Sequence, residues 1–352
     1  MNILCFLSHP AQFLFFRNTI QNLRKSGHTV YILIKTKDIL SNLLEEAGME
    51  YYNVLPVPRK RSKIAIVLSL LQRDVRIYRF ARKKKISLMM GSDASIAHVS
   101  RILGIPCIST TEDDYEVIKP LAMLTYPFTT HIFMPDICNA GRWSYKKISY
   151  KGYMKLAYLH PNHFTPDRTK VDIPDDKPYY LIRLSGLSAY HDAGIKGISL
   201  ENLTRIIEYL SLTGRVYISA ENKSMELFRE HQLHIPVSYI HHYLAFADLL
   251  ISDSQSMSVE ASVLGTPNIR ISDFAGRISV LEELEHKYQL TFGIKPANQD
   301  QVIPKTKEIL EMPARKEVFR ERRGKMLSEK IDVTAFLTAV IEGYPGKVKG
   351  DR

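Results

Sequence analysis

Short apolar segments alternate along the chain with segments whose apolar residues recur every three or four positions. Residues 3–7 form an apolar run of strand length, and between Phe13 and Leu23 the apolar side chains recur at helical spacing. Gly27 follows at a position typical of a helix end, and residues 29–34 are apolar and β-branched. The opening therefore predicts a strand, a helix and a second strand.

The same alternation continues through the first half of the chain. The further predicted elements are helices at 39–47, 64–85 and 96–103 and strands at 51–54, 87–90, 106–109 and 131–134. Strands and helices that alternate in this way build a parallel sheet with helices on both faces.

Residues 151–178 are interrupted by X-Pro pairs and sustain no periodicity, which is typical of a connection between domains. The pattern then restarts, with predicted strands at 179–184, 215–219, 249–252 and 268–271 and helices at 200–212, 225–232, 239–247 and 259–264. We therefore expect an α/β protein with two doubly wound, Rossmann-like domains, residues 1–155 and 179–352, joined by a linker at 156–178. The last helix is a candidate to pack back on the N-terminal domain.

Positive charge is concentrated in the first half of the chain. The net charge is +11; residues 1–150 hold 21 Lys and Arg against 11 Asp and Glu, whereas residues 151–352 hold 27 against 26. An excess of this kind indicates an anionic partner for the first half, either a membrane surface or a nucleic acid.

The basic segment runs from Arg59 to Lys85 and contains Arg73, Arg76 and Arg79 at every third position. This spacing predicts a basic stripe along one side of a helix. Beside apolar residues, such a stripe suits a helix that lies on an anionic membrane surface, and a solvated surface is the alternative. We expect no nucleic-acid partner, because the chain shows no known nucleic-acid-binding module and no aromatic stacking platform.

The composition is that of an ordinary globular protein, with 45% hydrophobic and 24% charged residues. Cys5, Cys107 and Cys138 lack metal-ligand spacing and are expected to be reduced core residues. The longest apolar run, residues 64–71, is far shorter than the roughly 20 residues that span a bilayer. The N-terminus lacks the basic leader of a signal peptide. We expect a cytoplasmic protein whose membrane contact, if any, is peripheral and at the inner face of the cytoplasmic membrane.

The most informative stretch is residues 247–267, where an apolar strand leads through a short polar loop into a helix. Such a junction directs backbone N–H groups and the positive end of the helix dipole at a ligand beyond the sheet. Ser254, Ser256 and Ser258 add hydroxyl groups that can approach a phosphate. The Glu260 carboxylate can accept hydrogen bonds from both hydroxyl groups of a ribose. A capping network with Ser258 as the N-cap is the alternative.

This stretch resembles the nucleotide-binding motif of GT-B sugar-nucleotide enzymes such as MurG and the non-hydrolysing UDP-GlcNAc 2-epimerases. The rest of the chain is similar to a family of predicted bacterial and archaeal glycosyltransferases related to both. The matching segments are Ser8-His9-Pro10-Ala11, residues 152–161, Phe164 with Pro166, Arg183 ahead of His191-Asp192, and Ser219 with Glu221. The chain departs from the family at Ser8, often glycine there, at Gln12, often histidine, and at 254–256, where two glycines common in the superfamily are absent.

The resemblance implies a GT-B architecture, in which two Rossmann-like domains face each other across a cleft and the C-terminal domain holds UDP. The residues expected at the diphosphate and ribose are Asp253, Ser254, Gln255, Ser256, Met257 and Glu260. No cofactor is expected beyond the UDP-sugar itself. No catalytic metal is expected either, because the chain has no Asp-x-Asp motif near a strand end.

Further residues of the C-terminal domain follow predicted strand ends. Arg183, Ser185 and His191 are expected at the diphosphate, whose charge grows as the glycosyl bond breaks. Ser219 and Glu221 are expected at the sugar. A structural ion pair between Arg183 and Asp192 is the alternative.

His9 lies in the loop after the first predicted strand. In inverting GT-B glycosyltransferases a histidine in this place deprotonates the acceptor hydroxyl, a task that suits the pKa of imidazole. A histidine hydrogen-bonded within its own loop is the alternative. Asp93 is expected to orient His9. Asp113 and Asp114 are rivals for that role or acceptor contacts, and Gln12 is expected near the sugar or the acceptor.

These features predict a glycosyltransferase that moves a sugar from a UDP-sugar to a lipid-linked or polysaccharide acceptor in cell-surface glycan synthesis. One alternative is a UDP-sugar 2-epimerase, which needs acid and base residues at the sugar C2 and no acceptor. Another is a non-catalytic protein that binds sugar nucleotides. The basic first half and the lack of a recognisable epimerase acid set favour the transferase.

Overall fold

The structure, a computed structural model, describes residues 1–35, 38–55, 63–174, 176–184, 198–220 and 226–344. These residues form two compact units. The first contains Met1–His163 and the chain from Ile331 onwards, and the second is Phe164–Lys330. Each unit is built on its own parallel sheet, as the alternation of strands and helices predicts.

The first unit has a seven-stranded parallel sheet. Its strands are β1 (Asn2–Leu7), β2 (Thr29–Lys35), β3 (Tyr51–Leu55), β4 (Leu88–Gly91), β5 (Cys107–Thr110), β6 (His131–Pro135) and β7 (Lys147–Tyr150), in the order β3-β2-β1-β4-β5-β6-β7. The strand order reverses between β1 and β4, so the loops after these strands meet at the carboxyl edge of the sheet. His9 and Asp93 lie on those two loops.

Helices cover this sheet on both faces. They are α1 (Pro10–Lys25), α2 (Asp38–Glu46), α3 (Lys63–Lys83), α4 (Ala94–Leu103), α5 (Lys119–Thr125) and α6 (Leu156–Leu159). One core cluster joins α3 and α4 to the sheet through Phe6, Ile77, Met89 and Ile96. Residues 3–7 of β1 are buried, because a central parallel strand has apolar neighbours on both sides.

The basic stripe predicted on α3 is wrong at its first member. Arg73 is only 7% exposed; its guanidinium lies 3.0 Å from the Asp93 carboxylate, and its Nε donates to Ser95 Oγ at 2.7 Å. Arg76 and Arg79 are exposed. Residues three apart on an α-helix are offset by about 60° around its axis, so the row of arginines turns from the core toward solvent.

The second unit has a five-stranded parallel sheet with the order β12-β11-β10-β8-β9. Its strands are β8 (Tyr179–Leu184), β9 (Arg215–Ala220), β10 (Leu249–Ser252), β11 (Asn268–Ile271) and β12 (Thr291–Ile294). Its helices are α7 (Leu200–Ser211), α8 (Ile240–Phe246), α9 (Gln255–Leu264), α10 (Ser279–Glu282), α11 (Val302–Leu310) and α12 (Arg315–Glu329). The helix predicted at 225–232 is a short 3-10 helix, Glu226–His231, and α9 begins four residues before the predicted start at 259.

The predicted linker at 156–178 is not a separate segment. α6 is buried in the first unit, where the Asn18 amide donates to the Ala157 carbonyl at 2.9 Å. From Phe164 onwards the chain packs in the second unit, where the Asp167 N–H donates to His242 Nδ1 at 3.0 Å. The division falls after His163 because the apolar residues of α6 contribute to the core of the first unit.

The chain re-enters the first unit at its C-terminal part. The last helix, α13 (Val333–Glu342), packs on α1 and α6. The hydroxyl of Thr334 donates to the Ala157 carbonyl at 2.6 Å, and the Ile331 N–H donates to the Lys151 carbonyl at 2.8 Å. The first unit is therefore assembled from two separate stretches of the chain.

Candidate functional site

The junction between β10 and α9 has a different cap from the one predicted. Ser254, not Ser258, is the N-cap: its hydroxyl accepts the Met257 N–H at 3.4 Å. The hydroxyl of Ser252 accepts the Ser254 N–H at 2.9 Å. Ser258 is buried within the helix and donates to the Ser254 carbonyl at 3.1 Å. The loop is therefore held by its own serines, one helical turn earlier than the sequence predicts.

The N-terminus of α9 carries groups that can receive a ligand. The N–H groups of Gln255 and Ser256 have no acceptor within the helix, and the positive end of the helix dipole lies there. Residues 253–257 are all partly exposed. Within the described part of the chain, the buried Oε1 of Gln255 has no hydrogen-bond partner. A buried acceptor without a donor costs about 1–3 kcal/mol, so a ligand that donates to it gains affinity.

Three strands of the second unit end side by side next to this helix. Arg183 on β8 lies in register with Ser219 on β9 and with Ser252 on β10. Its Nη1 donates to Ser219 Oγ at 2.8 Å, and its carbonyl accepts the Asp253 N–H at 3.3 Å. The structure thus brings Arg183, Ser219 and the α9 loop to one edge of the sheet. The predicted residues Ser185, His191 and Glu221, and Asp192 as the alternative ion-pair partner, lie outside the described residues.

Glu260 lies in the second turn of α9 rather than in the first, because the helix begins at Gln255. It is 6% exposed, and its Oε1 lies 3.5 Å from Nε2 of His241 on α8. His241 is also buried, with its ring edge-on to that of Phe164. His241 is not predicted by the sequence, because two adjacent histidines on a short helix do not indicate which one faces α9.

His9 is the N-cap of α1 in the first unit. Its Nδ1 accepts the Ala11 N–H at 3.2 Å, and the residue is exposed. Because Nδ1 is an acceptor, a neutral ring carries its proton on Nε2. The Gln12 side-chain oxygen accepts the N–H and the hydroxyl of Ser8 at 2.7 and 3.2 Å. These contacts lie within the loop itself, as the alternative interpretation of His9 expects.

Asp93 has partners other than the expected His9. Its Oδ1 accepts the Ser95 N–H at 2.9 Å as the N-cap of α4, and Arg73 lies 3.0 Å from the same oxygen. Lys35 lies 3.6 Å from Oδ2. Within the described residues His9 is not among its partners. A carboxylate that is 8% exposed needs cations nearby, and α3 and β2 supply them.

Three consecutive acids follow β5. Glu112 forms an ion pair with Lys155 and accepts the Met154 N–H at 2.9 Å. Asp114 is buried and accepts the Asn139 N–H at 2.8 Å. Burial, and then the charge of Glu112, raise the pKa of Asp113 above its ordinary value. Asp113 therefore holds a proton more readily than an ordinary aspartate does.

The described residues contain no group of three or more His, Cys, Asp or Glu side chains that could hold a metal ion. None of their helices is long and apolar enough to cross a membrane. Cys5, Cys107 and Cys138 are buried free thiols.

No protein-family model matches the chain, and no curated protein matches it by sequence. Solved structures match it over nearly its whole length. UDP-GlcNAc 2-epimerase from Neisseria meningitidis, bound to UDP-GlcNAc, is 16% identical with a TM-score of 0.72, covering 99% of this chain and 100% of that one. MnaA from S. aureus, in a co-structure with UDP, is 11% identical with a TM-score of 0.71, covering 100% and 98%. MurG from Acinetobacter baumannii is 11% identical with a TM-score of 0.60, covering 97% and 99%. This protein therefore shares its fold of two Rossmann-like α/β domains with MurG and the UDP-GlcNAc 2-epimerases, as the GT-B resemblance predicts.

Proposed function

We propose that this protein is a glycosyltransferase that takes a sugar from a UDP-sugar and passes it to a lipid-linked or polysaccharide acceptor. The observation that carries the proposal is the placement of Arg183 beside the N-terminus of α9 at one sheet edge. The diphosphate is the leaving group, and its charge grows as the bond from its oxygen to the sugar C1 breaks. A guanidinium held by Ser219 and a helix dipole stabilise that charge without reorganisation.

The rest of the nucleotide is assigned to side chains of the same unit. Glu260, which lies 3.5 Å from His241, accepts hydrogen bonds from the ribose hydroxyl groups. The buried Gln255 oxygen accepts a hydrogen bond from a further donor group of the nucleotide. Two similar structures support UDP as the nucleotide, because one contains UDP-GlcNAc and the other UDP. The neighbouring Ser219 is assigned to the sugar.

Replacement of Glu260 by alanine or glutamine should weaken UDP binding by about 1–3 kcal/mol, the cost of removing a charged hydrogen-bond partner. Isothermal calorimetry with UDP measures the effect. The glutamine variant keeps the side-chain volume and guards against a loss of folding. Glu201→Gln, at an exposed position in the first turn of α7, is the matched control and should bind UDP as the parent protein does. Unchanged affinity in a folded Glu260→Gln variant would remove Glu260 from the nucleotide site.

A surface of the first unit supports a lipid-linked acceptor. Leu71 and Val75 on α3 are 55% and 49% exposed, Ile102 on α4 is 69% exposed, and Leu124 on α5 and Phe128 after it are 50% and 42% exposed. We call these residues the α3–α5 face. A group of large apolar side chains on neighbouring helices marks a site of interaction.

His98 connects the three helices of the α3–α5 face. Both of its ring nitrogens donate: Nδ1 donates to the Asp74 carboxylate on α3 at 3.0 Å, and Nε2 donates to the Leu124 carbonyl on α5 at 2.9 Å. Exposed basic residues neighbour the apolar ones along the helices: Arg79 lies one turn beyond Val75, and Arg101 precedes Ile102. Apolar residues with a basic rim fit the interface of an anionic bilayer, which would hold a lipid-linked acceptor near the enzyme.

The α3–α5 face should bind vesicles that contain anionic lipid, and the binding should weaken as salt screens the exposed charges. Arg79→Glu combined with Lys83→Glu should weaken binding at least tenfold, because each basic residue near the surface contributes about 1 kcal/mol. Leu71→Glu should act in the same direction. Co-sedimentation with anionic and neutral vesicles measures both.

Matched controls for this test lie on the second unit, where Arg205 and Leu212 are exposed. Arg205→Glu and Leu212→Glu should leave vesicle binding unchanged. Equal binding to neutral and anionic vesicles would contradict the membrane assignment. A concentration-dependent dimer that Leu71→Glu dissociates would assign the face to a second copy of the chain instead.

A 2-epimerase that acts on the same UDP-sugar is the second candidate, and Asp113 favours it. A carboxyl group with a raised pKa suits the proton exchange at the sugar C2 that epimerisation requires. Incubation with a panel of UDP-sugars separates the activities. UDP release that depends on an added acceptor supports transfer, whereas a C2 epimer formed without acceptor contradicts it. Neither product would indicate a protein that only binds the nucleotide sugar.

A further inference from the structure

A cavity of about 260 Å³ opens at the amino edge of the second sheet, where β10 and β11 begin. Asp248 directly precedes β10, and Pro267 directly precedes β11; both line the cavity. The remaining walls come from the C-terminal ends of α8 and α9 and from α12. This is the edge opposite to the one that carries Arg183 and Ser254.

The cavity is lined by more positive than negative charge. Its charged residues are Asp248, Arg315, Lys316, Arg320 and Arg323. Arg315 lies 2.6 Å and Lys316 lies 3.5 Å from the same Asp248 oxygen, so these three groups largely satisfy one another. Arg320 and Arg323 form no ion pair with any carboxylate of the described residues, and two guanidinium groups are left for an external anion.

Arg323 is held in place at the cavity wall. Its Nε donates to the Val263 carbonyl at 2.9 Å, and its side chain lies over Gly265, which has a φ of 85°. A Cβ at Gly265 would come within 2.8 Å of the Arg323 Cδ, so the glycine makes room for the arginine. Burial lowers the pKa of Arg323, which is the expected effect on a cation without an acidic partner. An anion in the cavity would relieve that penalty.

Apolar side chains form the rest of the lining. Phe246, Leu264, Pro267 and Phe319 contribute to the walls. The volume is slightly below the roughly 300–1,000 Å³ of sites for drug-sized ligands, so it suits a smaller metabolite. A pocket with an apolar wall and two guanidinium groups matches a small molecule that has both an apolar body and a dianionic head.

We propose that this cavity is a second ligand site, which takes a small organic phosphate monoester. Its phosphoryl group lies between Arg320 and Arg323, and its apolar body lies against Phe246 and Phe319. The length of α9, about 15 Å for ten residues, separates this site from the sheet edge that is assigned to the nucleotide. It goes beyond the proposed glycosyl transfer and does not depend on it.

A purely structural role for these arginines makes a different prediction. Cations near the C-terminus of α9 stabilise the negative end of its dipole, and Arg323 already binds a carbonyl there. In that case the cavity would bind no phosphate, and loss of Arg320, which is exposed, would change nothing measurable. The two roles are therefore separable by a binding experiment.

The experiment is a titration of the full chain with phenyl phosphate, monitored by calorimetry and ³¹P NMR. Saturating UDP is present to occupy the proposed nucleotide site. We expect saturable one-to-one binding that is tighter than that of inorganic phosphate, because the phenyl ring reaches the apolar wall. Arg320→Gln should weaken it about tenfold or more, as expected for loss of a charge-assisted hydrogen bond. Lys325→Gln, an exposed position on α12 that does not line the cavity, is the matched control and should bind normally.

Two further arms complete the test. Arg323→Gln should also weaken binding, and its folding is checked by thermal unfolding because it loses the contact with Val263. Water-soluble dihexanoyl phosphatidate carries the same phosphate monoester. If it binds more tightly than phenyl phosphate, and the binding depends on Arg320, the ligand of the site is a lipid headgroup. No saturable binding of any of these probes, or binding that Arg320→Gln leaves unchanged, would overturn the proposal.

Discussion

Replacement of His9 by alanine should lower acceptor-dependent turnover by roughly 10²–10⁴-fold, the range for loss of a general base. UDP affinity should stay unchanged, because the nucleotide residues belong to the second unit. The structure adds a condition to this prediction. His9 Nδ1 accepts the Ala11 N–H, so a neutral ring that takes up a proton there must first release the cap of α1. A stopped assay measures the acceptor-dependent turnover, and calorimetry measures the affinity for UDP.

The capping role of His9 requires its own control. Alanine at an N-cap costs about 0.5–2 kcal/mol of stability, whereas asparagine is among the best N-cap residues. His9→Asn should therefore keep the stability of the parent protein and still lose turnover. If His9→Asn turns over normally while His9→Ala does not, His9 acts only as a cap. The base would then be sought at Asp113 rather than at Asp93, whose carboxylate is bound by Arg73.

Replacement of Arg270 by alanine should lower the free energy of unfolding by about 3–5 kcal/mol, the cost of breaking a buried ion pair from one side. Arg270 on β11 is fully buried, and its Nη2 donates to Glu282 and Glu285 at 2.8 and 2.7 Å. The variant removes the arginine that both carboxylates share. Urea unfolding measures the loss. Arg215→Ala breaks an exposed pair with Asp176 and is the matched control, with an expected loss below about 1 kcal/mol.

The Arg270 effect should depend on pH. Burial raises the pKa of Glu282. The hydrogen bond from Arg270 and the other contacts of this carboxylate together outweigh burial, so its pKa lies below the ordinary value of 4.5. A carboxyl group with a depressed pKa stabilises the fold above that ordinary value, and the contribution is lost as the pH falls through the folded-state pKa. The difference between the parent protein and Arg270→Ala should therefore shrink below about pH 4.5. A difference that stays constant into acid would contradict the ion-pair explanation.

The sequence predicts the fold well where apolar runs are short and bounded by turns. The strands at 179–184, 249–252 and 268–271 have the predicted limits, because each is a largely buried run bounded by proline or polar residues. The sequence alone does not indicate where α9 begins, because Ser254, Ser256 and Ser258 are all competent caps. Which serine caps the helix depends on Ser252, whose hydroxyl fixes the loop from the end of the preceding strand.

The features that the sequence does not predict depend on contacts between residues that are far apart in the chain. The spacing of Arg73 predicted an exposed stripe, but its burial depends on Asp93 and Ser95, which are about 20 residues away. The contact between His241 and Glu260 likewise joins two helices and leaves no local pattern. The sequence could place chemical groups at strand ends, where position follows from topology, but it could not tell which of them already bind one another.

The first unit is formed from two separate stretches of the chain, and this sets the order in which the two units fold during synthesis. Val333, Leu337 and Ile341 of α13 are fully buried, so α1 and α6 lack their apolar covering until this helix leaves the ribosome. At about 5–20 residues per second, the intervening chain takes on the order of ten seconds or more to translate. The second unit is continuous and can fold as soon as its own residues emerge. The part of the protein that is made first is therefore the last to be completed, and during that interval the apolar surface of α1 and α6 is exposed to solvent.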